Sequence, residues 1–248
     1  MTLLFPKKKK AGLKEISSPA AYVKHIRCDI KLPAKAVLCP ISSLTKYVES
    51  HSQYKKYNCE ADIYVLQKQN LCYVTNFGSG APGMAMALEV LIALGVKKFV
   101  FIGLAGSLQE EVQAADMVLC QQALCDDGTS PCYTTAEITR PSKPLFNALA
   151  KQLTAMGHNY HVGLNWTTDA IFRETPQEVR HYQKQDVLSV EMEIAAFYAI
   201  CAKRKVSGAA AVVISDELAR LKWEPHFGEK EIFRNLEQIF LAAGQALK

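Results

Sequence analysis

The sequence predicts an α/β fold, a single domain with a mixed sheet flanked by helices, on three observations. Short β-branched runs alternate with longer amphipathic ones along all 248 residues. The short runs are almost continuously apolar, as strands covered on both faces are. No internal repeat or low-complexity linker interrupts the alternation. With 49% hydrophobic and 21% charged residues, the chain can bury one sizeable core.

In chain order, residues 1–15 read as a basic N-terminal tail and 16–248 as the domain. The run Lys7 to Lys10 is a solvated charge cluster, and the net charge of +5 is too modest to call for nucleic acid. Leu3, Leu4 and Phe5 precede the lysines, the reverse of a secretory signal. No apolar stretch approaches the roughly 18 residues of a membrane span. The expectation is a cytoplasmic protein with neither a membrane nor a nucleic-acid partner. Strands are predicted over 34–40, 62–67, 70–77, 97–103 and 208–215, and helices over 83–95, 143–157, 176–185, 190–204 and 228–248. The eight cysteines show no C-x-x-C and no paired Cys/His spacing. They are therefore expected to be free core thiols in a reducing compartment, with no metal site.

Four stretches carry candidate chemistry. Gly78, Gly80 and Gly83 in "NFGSGAPGMAM" spell a G-x-G-x-x-G between strand and helix, which opens the alternative of an NAD-dependent oxidoreductase. That fingerprint needs an acid about 20 residues on, and Gly103 stands there. "VEMEIAAFY" sets Glu191 and Glu193 two apart around Met192, as a helix begins. "AVVISDELA" ends an apolar strand in Ser215 and Asp216, and an acid at a strand tip faces the usual ligand crevice. "TTDAIFRETPQEV" places Asp169 after a strand, with Ile171 and Phe172 available to cover a flat ring. Each also has a plain structural reading: helix caps for Glu191 and Asp216, a turn for Asp169, core for Phe172.

Taken together and in order, "GSGAP", "IGLAG", "TTDAIF", "VEME" and "ISDEL" resemble motifs of the nucleoside phosphorylase superfamily, in the branch of hexameric purine nucleoside phosphorylases, uridine phosphorylases and methylthioadenosine-type nucleosidases. The resemblance runs from about His25 to the last helix. It implies a twisted mixed sheet closing partly into a barrel, a small-molecule nucleoside as substrate and no cofactor. It further implies that Asp216 protonates the leaving purine, that Glu193 accepts the ribose hydroxyls over Met192, and that Glu191 shapes the pocket. Gly80, Ala105 and Gly106 would line that pocket, with Ile171 and Phe172 against the base. His25 matches a histidine that reaches a neighbouring subunit's site, which implies a homodimer or homohexamer.

One part of the resemblance is broken. The phosphorylases cradle phosphate with an arginine and a hydroxyl on an "R-x-G-T" strand and with a "G-D-P-x-R" loop. Here those positions hold Phe101 and Leu104 and the stretch "PISSL", from Pro40 to Leu44. A dianion without its arginine fork loses bidentate bonds that lysine does not replace. Three readings stay open: hydrolytic cleavage, phosphorolysis through Ser42, Ser43 and Lys55 or Lys56, and a non-catalytic nucleoside-binding member.

Overall fold

The structure, a computed structural model, describes residues 6–248. Its strands are β1 (Lys35–Leu38), β2 (Tyr54–Asn58), β3 (Asp62–Leu66), β4 (Leu71–Thr75), β5 (Lys98–Ser107), β6 (Met117–Asp126), β7 (Ile138–Thr139), β8 (His161–Thr168), β9 (Val187–Glu191), β10 (Ser207–Glu217) and β11 (Glu224–Pro225). Its helices are α1 (Lys7–Lys10), α2 (Pro19–His25), α3 (Ser42–His51), α4 (Ala81–Ala93), α5 (Lys143–Ala155), α6 (Pro176–Gln183), α7 (Ile194–Arg204) and α8 (Lys230–Ala246).

All strands join one sheet, ordered β11-β10-β6-β8-β9-β5-β1-β4-β3-β2, with β7 on β6. A further pairing of β10 with β5 closes β5, β10, β6, β8 and β9 into a ring, while β1, β4, β3 and β2 extend from it as an open wing. This is the mixed, partly closed barrel that the motifs implied. Parallel pairs (β5 with β10 and β1, β6 with β8, β8 with β9) stand beside antiparallel ones (β5 with β9, β6 with β10).

Strand β5 positions the site. Along one edge it pairs with β10 over its whole length. Along the other it pairs with β1 from Lys98 to Phe101, and then with β9 only at Gly106 and Ser107. The sheet therefore splits beside Gly103 to Ala105, the kind of strand divergence where α/β sheets bind ligands.

Side chains alternate across the sheet, and the core follows in two layers. Phe99, Phe101, Ala210, Val212 and Ile214 pack toward α4 and α7. Val100, Ile102, Ala209, Ala211 and Val213 pack toward α3, α5 and α8. Burial of these apolar faces, at about 25 cal/mol per Å², is the main stabilising contribution.

Several expectations need correction. The strand expected to end at Gly103 runs on to Ser107. The helix expected from Val190 begins at Ile194, because Val190 and Glu191 are the last residues of β9. The "PISSL" stretch is a loop only to Ile41, since α3 begins at Ser42 and buries Leu44. Not all cysteines are free: Cys28 and Cys59 form a disulfide that ties the segment after α2 to the β2–β3 turn. The segment before Ile16 touches the domain, with Lys203 Nζ donating to the Ala11 carbonyl and Arg204 pairing with Glu15 at 2.7 Å. No helix among the described residues is long and apolar enough to cross a membrane.

Candidate active site

Gly106 is the middle of the site. It lies between Val190 of β9 and Asp216 of β10, so the ends of three strands meet around one residue without a side chain. A Cβ there would stand 2.5 Å from Leu218 Cδ1, 3.1 Å from Asp216 Oδ2 and 3.3 Å from Val190 Cγ1. Glycine leaves room for the carboxylate to lie against the strand, and a methyl group would press it away by a few tenths of an ångström.

Asp216 is aimed by a bulge. Ile214 pairs with Ala105 and Asp216 with Gly106, so Ser215 is an extra residue in β10. Such an insertion turns the side chain that follows it. Asp216 is half-buried, and both its oxygens are engaged: Ser215 Oγ donates to Oδ1 at 2.7 Å and Trp223 Nε1 donates to Oδ2 at 3.0 Å. It caps no helix.

On the other side of Gly106, β9 leads through Met192 to Glu193, which precedes α7. Glu193 is buried, and its Oε1 accepts the Gly80 N–H at 2.5 Å. Gly80 has φ +86°, a backbone region that favours glycine. A Cβ on it would lie 3.7 Å from the Met192 terminal methyl. The glycine turn, Met192 and Glu193 are thus one cluster. Because the amide opening α4 faces a carboxylate, this turn is unsuited to the pyrophosphate that the G-x-G-x-x-G reading required.

Glu191 has a different role from Glu193. Its Oε1 accepts from Asn165 Nδ2 (2.7 Å) and Thr167 Oγ1 (2.5 Å), and its Oε2 accepts from the backbone N–H groups of Glu193 (2.5 Å) and Ile194 (2.8 Å). It pins the β9–α7 junction to β8, and all four bonds are internal. Burial, then the neighbouring Glu193 charge, pushes Glu191 up to about 8 against those bonds. Burial also raises Glu193, opposed by the Gly80 N–H.

Two residues that the sequence reading passed over act on Asp216. Glu174, just before α6, is pushed up to about 7, first by burial, then by the Asp216 and Glu178 charges. Trp223 reaches Asp216 from the turn before β11. The signal for Glu174 lay in "TTDAIFRET" itself, five residues beyond Asp169. Asp169 is a turn residue, accepting the Gly128 N–H at 2.7 Å.

Other candidates stand elsewhere. Phe101 is mid-strand and 1% exposed, its ring 5.8 Å from Phe197. Leu104, three residues on, packs toward the opposite layer with α5 and α8, so the two do not line a common strand tip. Leu44 is core, and Pro40 is half-buried ahead of α3. Lys56 pairs with Asp62 at 3.0 Å and lies over Tyr64, whose hydroxyl bonds Glu49 near the C-terminal end of α3. That is the end away from Ser42 and Ser43. His25 is exposed at the end of α2, and its imidazole makes no hydrogen bond among the described residues. Phe172 is 94% exposed and Ile171 44%, so the core reading of Phe172 fails. A cavity of about 690 Å³ lies between the N-terminal segment, α4 and α7, and shares only Pro82 with the turn described above.

Residues 38–243 match the family profile described as the phosphorylase superfamily. The guanosine phosphorylase of Halorubrum lacusprofundi is 32% identical over 73% of this chain and 71% of its own length. A DeoD-type purine nucleoside phosphorylase of Caldanaerobacter subterraneus subsp. tengcongensis is 30% identical over 75% of this chain and 84% of its own. Among solved structures, the uridine phosphorylase of Vibrio fischeri superposes with a TM-score of 0.77 at 18% identity, covering 88% of this chain and 92% of that one. The purine nucleoside phosphorylase of Toxoplasma gondii gives 0.75 at 18%, over 87% and 91%. The structural likenesses carry the fold, and the match over 38–243 carries the family: the chain belongs to the phosphorylase superfamily.

Proposed function

We propose that this protein cleaves the N-glycosidic bond of a purine-type nucleoside. The observation that supports this best is a pair of carboxylates at the ends of the two strands that meet β5 at Gly106: Asp216, half-buried at the end of β10, and Glu193, buried just past the end of β9 with its Oε1 on the Gly80 N–H. Breaking the bond builds positive charge on the ribose ring and negative charge on the departing base. A proton donor is needed at the base and hydrogen-bond acceptors at the sugar.

Asp216 serves as the donor, and a positioned general acid contributes about 10²–10⁴ in rate. Glu193 accepts the ribose hydroxyls, with Met192 beneath the sugar. Glu191, its bonds all internal, holds that segment in place. Glu174, raised to about 7, keeps much of its own proton near neutral pH beside Asp216. Ile171 and the exposed Phe172 border the base, and His25 comes from a second copy in a homodimer or homohexamer. The similarity to proteins named guanosine phosphorylase and purine nucleoside phosphorylase supports a purine.

For the acceptor, the first reading is water, since no arginine stands in the Pro40 to Leu44 stretch. A second reading, phosphorolysis, is favoured by one observation at α3. The helix opens behind Ile41 without a side-chain cap, and the Ser43 hydroxyl is buried without a hydrogen-bond partner. Open N–H groups and a hydroxyl at a helix N-terminus suit an anion. The test incubates the protein with inosine, guanosine, adenosine and uridine, without phosphate and with up to tens of millimolar, roughly beyond common KM values. Purine release at a phosphate-independent rate supports hydrolysis. A rate that saturates with phosphate moves the acceptor to the α3 turn. Faster release of uracil than of any purine, or no base from any nucleoside, overturns the proposal.

A further inference from the structure

The Asp216 carboxylate has one oxygen committed to its own strand and one to a residue from outside it. Oδ1 receives the hydroxyl of the adjacent Ser215 at 2.7 Å, a bond set by the β10 bulge. Oδ2 receives the indole N–H of Trp223 at 3.0 Å. Oδ2 is therefore the oxygen that can exchange partners.

Trp223 is placed to leave it. Its side chain is 59% exposed, and its ring stands 6.3 Å from that of Phe227, itself 48% exposed. The backbone around it is fixed. Leu218 N–H donates to the Ser107 carbonyl, Gln183 holds the Ala219 carbonyl, Glu224 and Pro225 pair with β10, and His226 N–H donates to the Ser215 carbonyl. Motion at this position is thus a side-chain rotation rather than a loop opening, and side-chain rotations at exposed positions are fast. An indole N–H is a donor only. On Oδ2 it competes directly with a heteroaromatic base whose ring nitrogen must share a proton with that same oxygen.

We infer that Trp223 is an exchangeable cap on the proposed proton donor: its indole holds Asp216 Oδ2 in the conformation seen here, and a nucleoside base takes that oxygen by displacing it. The inference rests on the glycosidic-cleavage reading and adds a residue that tunes substrate affinity. It accounts for a large aromatic side chain that stays exposed while its one polar atom is engaged.

The experiment combines calorimetry with tryptophan emission, using inosine as the probe. The chain has two tryptophans, and Trp166 is buried with its N–H on Asp126. Trp223 is thus the reporter. Inosine should change the wild-type emission saturably, with the midpoint matching the calorimetric Kd. Trp223→Phe should bind inosine without that change and more tightly, by roughly tenfold or more, since the bond it removes is one to a charged group. Calorimetric binding to wild type with unaltered emission overturns the cap and leaves the functional reading standing. Weaker binding by Trp223→Phe also overturns the cap, making the indole a wall of the base site. No calorimetric binding of inosine, guanosine or adenosine to wild type overturns the functional reading and the cap with it.

Discussion

Gly106→Ala tests whether the site is built as described, because it adds one methyl group where three strands meet. That methyl would lie 2.5 Å from Leu218 Cδ1, well inside the roughly 3.5–4.0 Å of ordinary carbon contact. Leu218 must move by about 1 Å. It is 9% exposed and stands in a small cluster with Leu108, Trp166 and Val190, so its tip can rotate toward solvent. Overpacking of this kind costs about 1–2 kcal/mol. For a chain of this size that lowers Tm by roughly 2–8 °C. The second contact matters more for activity. Asp216 Oδ2, 3.1 Å from the new methyl, shifts by a few tenths of an ångström. A 1 Å misplacement can cost about 100-fold in rate, so a smaller one should lower kcat by roughly 3- to 30-fold, with inosine affinity nearly unchanged. Thermal melts, calorimetry and base release measured on the same preparation separate these effects. Full turnover at an unaltered Tm would refute the geometry around Gly106. A loss confined to affinity would put the methyl in the substrate's space instead of against Asp216.

Asp216→Asn should lower turnover about 100-fold or more while inosine affinity is largely kept; a fully active variant would remove Asp216 as donor. Glu174→Gln should flatten part of the pH dependence of stability. Its folded value, about 7, lies above the ordinary 4.5, so its stabilising contribution is complete below about 4.5 and is lost as pH rises through 7. Urea midpoints of wild type and variant should be similar below about 4.5 and diverge as pH rises through 7, with the variant becoming the more stable, and parallel curves would contradict the assignment. Light scattering should find a dimer or hexamer, and His25→Ala should weaken nucleoside binding without changing the assembly; a monomer that binds nucleoside normally would remove His25 from the site.

What the sequence made legible follows from where burial leaves a pattern. Ala209 to Ile214 are fully buried on both faces of β10, so the strand reads as one apolar run and the acid at its end is conspicuous. Strand β2 carries Lys55 and Lys56 and pairs only with β3 at the edge, where nothing demands apolar residues. Strand β8 hides differently. Asn165 and Thr167 are fully buried polar residues, tolerated because Glu191 accepts from both. A polar strand is intelligible only with its distant partner in view. The Cys28–Cys59 bond spans 31 residues and joins two loops, a pairing that spacing alone does not reveal.

The aim of Asp216 and of Glu191 was illegible for a deeper reason. Ser215 is the unpaired extra residue in β10, and Leu188 is the corresponding one where β9 meets β8. A bulge belongs to a pair of strands, since it exists only relative to the partner's register. In strict alternation, a shift of one residue sends a side chain to the other face of the sheet. Without the extra residue at 215, Asp216 would take the face that Ser215 now takes, away from its bond with Trp223. Without the one at 188, Glu191 would lose the face from which it reaches both Asn165 and the amides opening α7. The motif words "ISDEL" and "VEME" therefore record which residues are needed, while the direction in which those residues point is set by register in the strands alongside them.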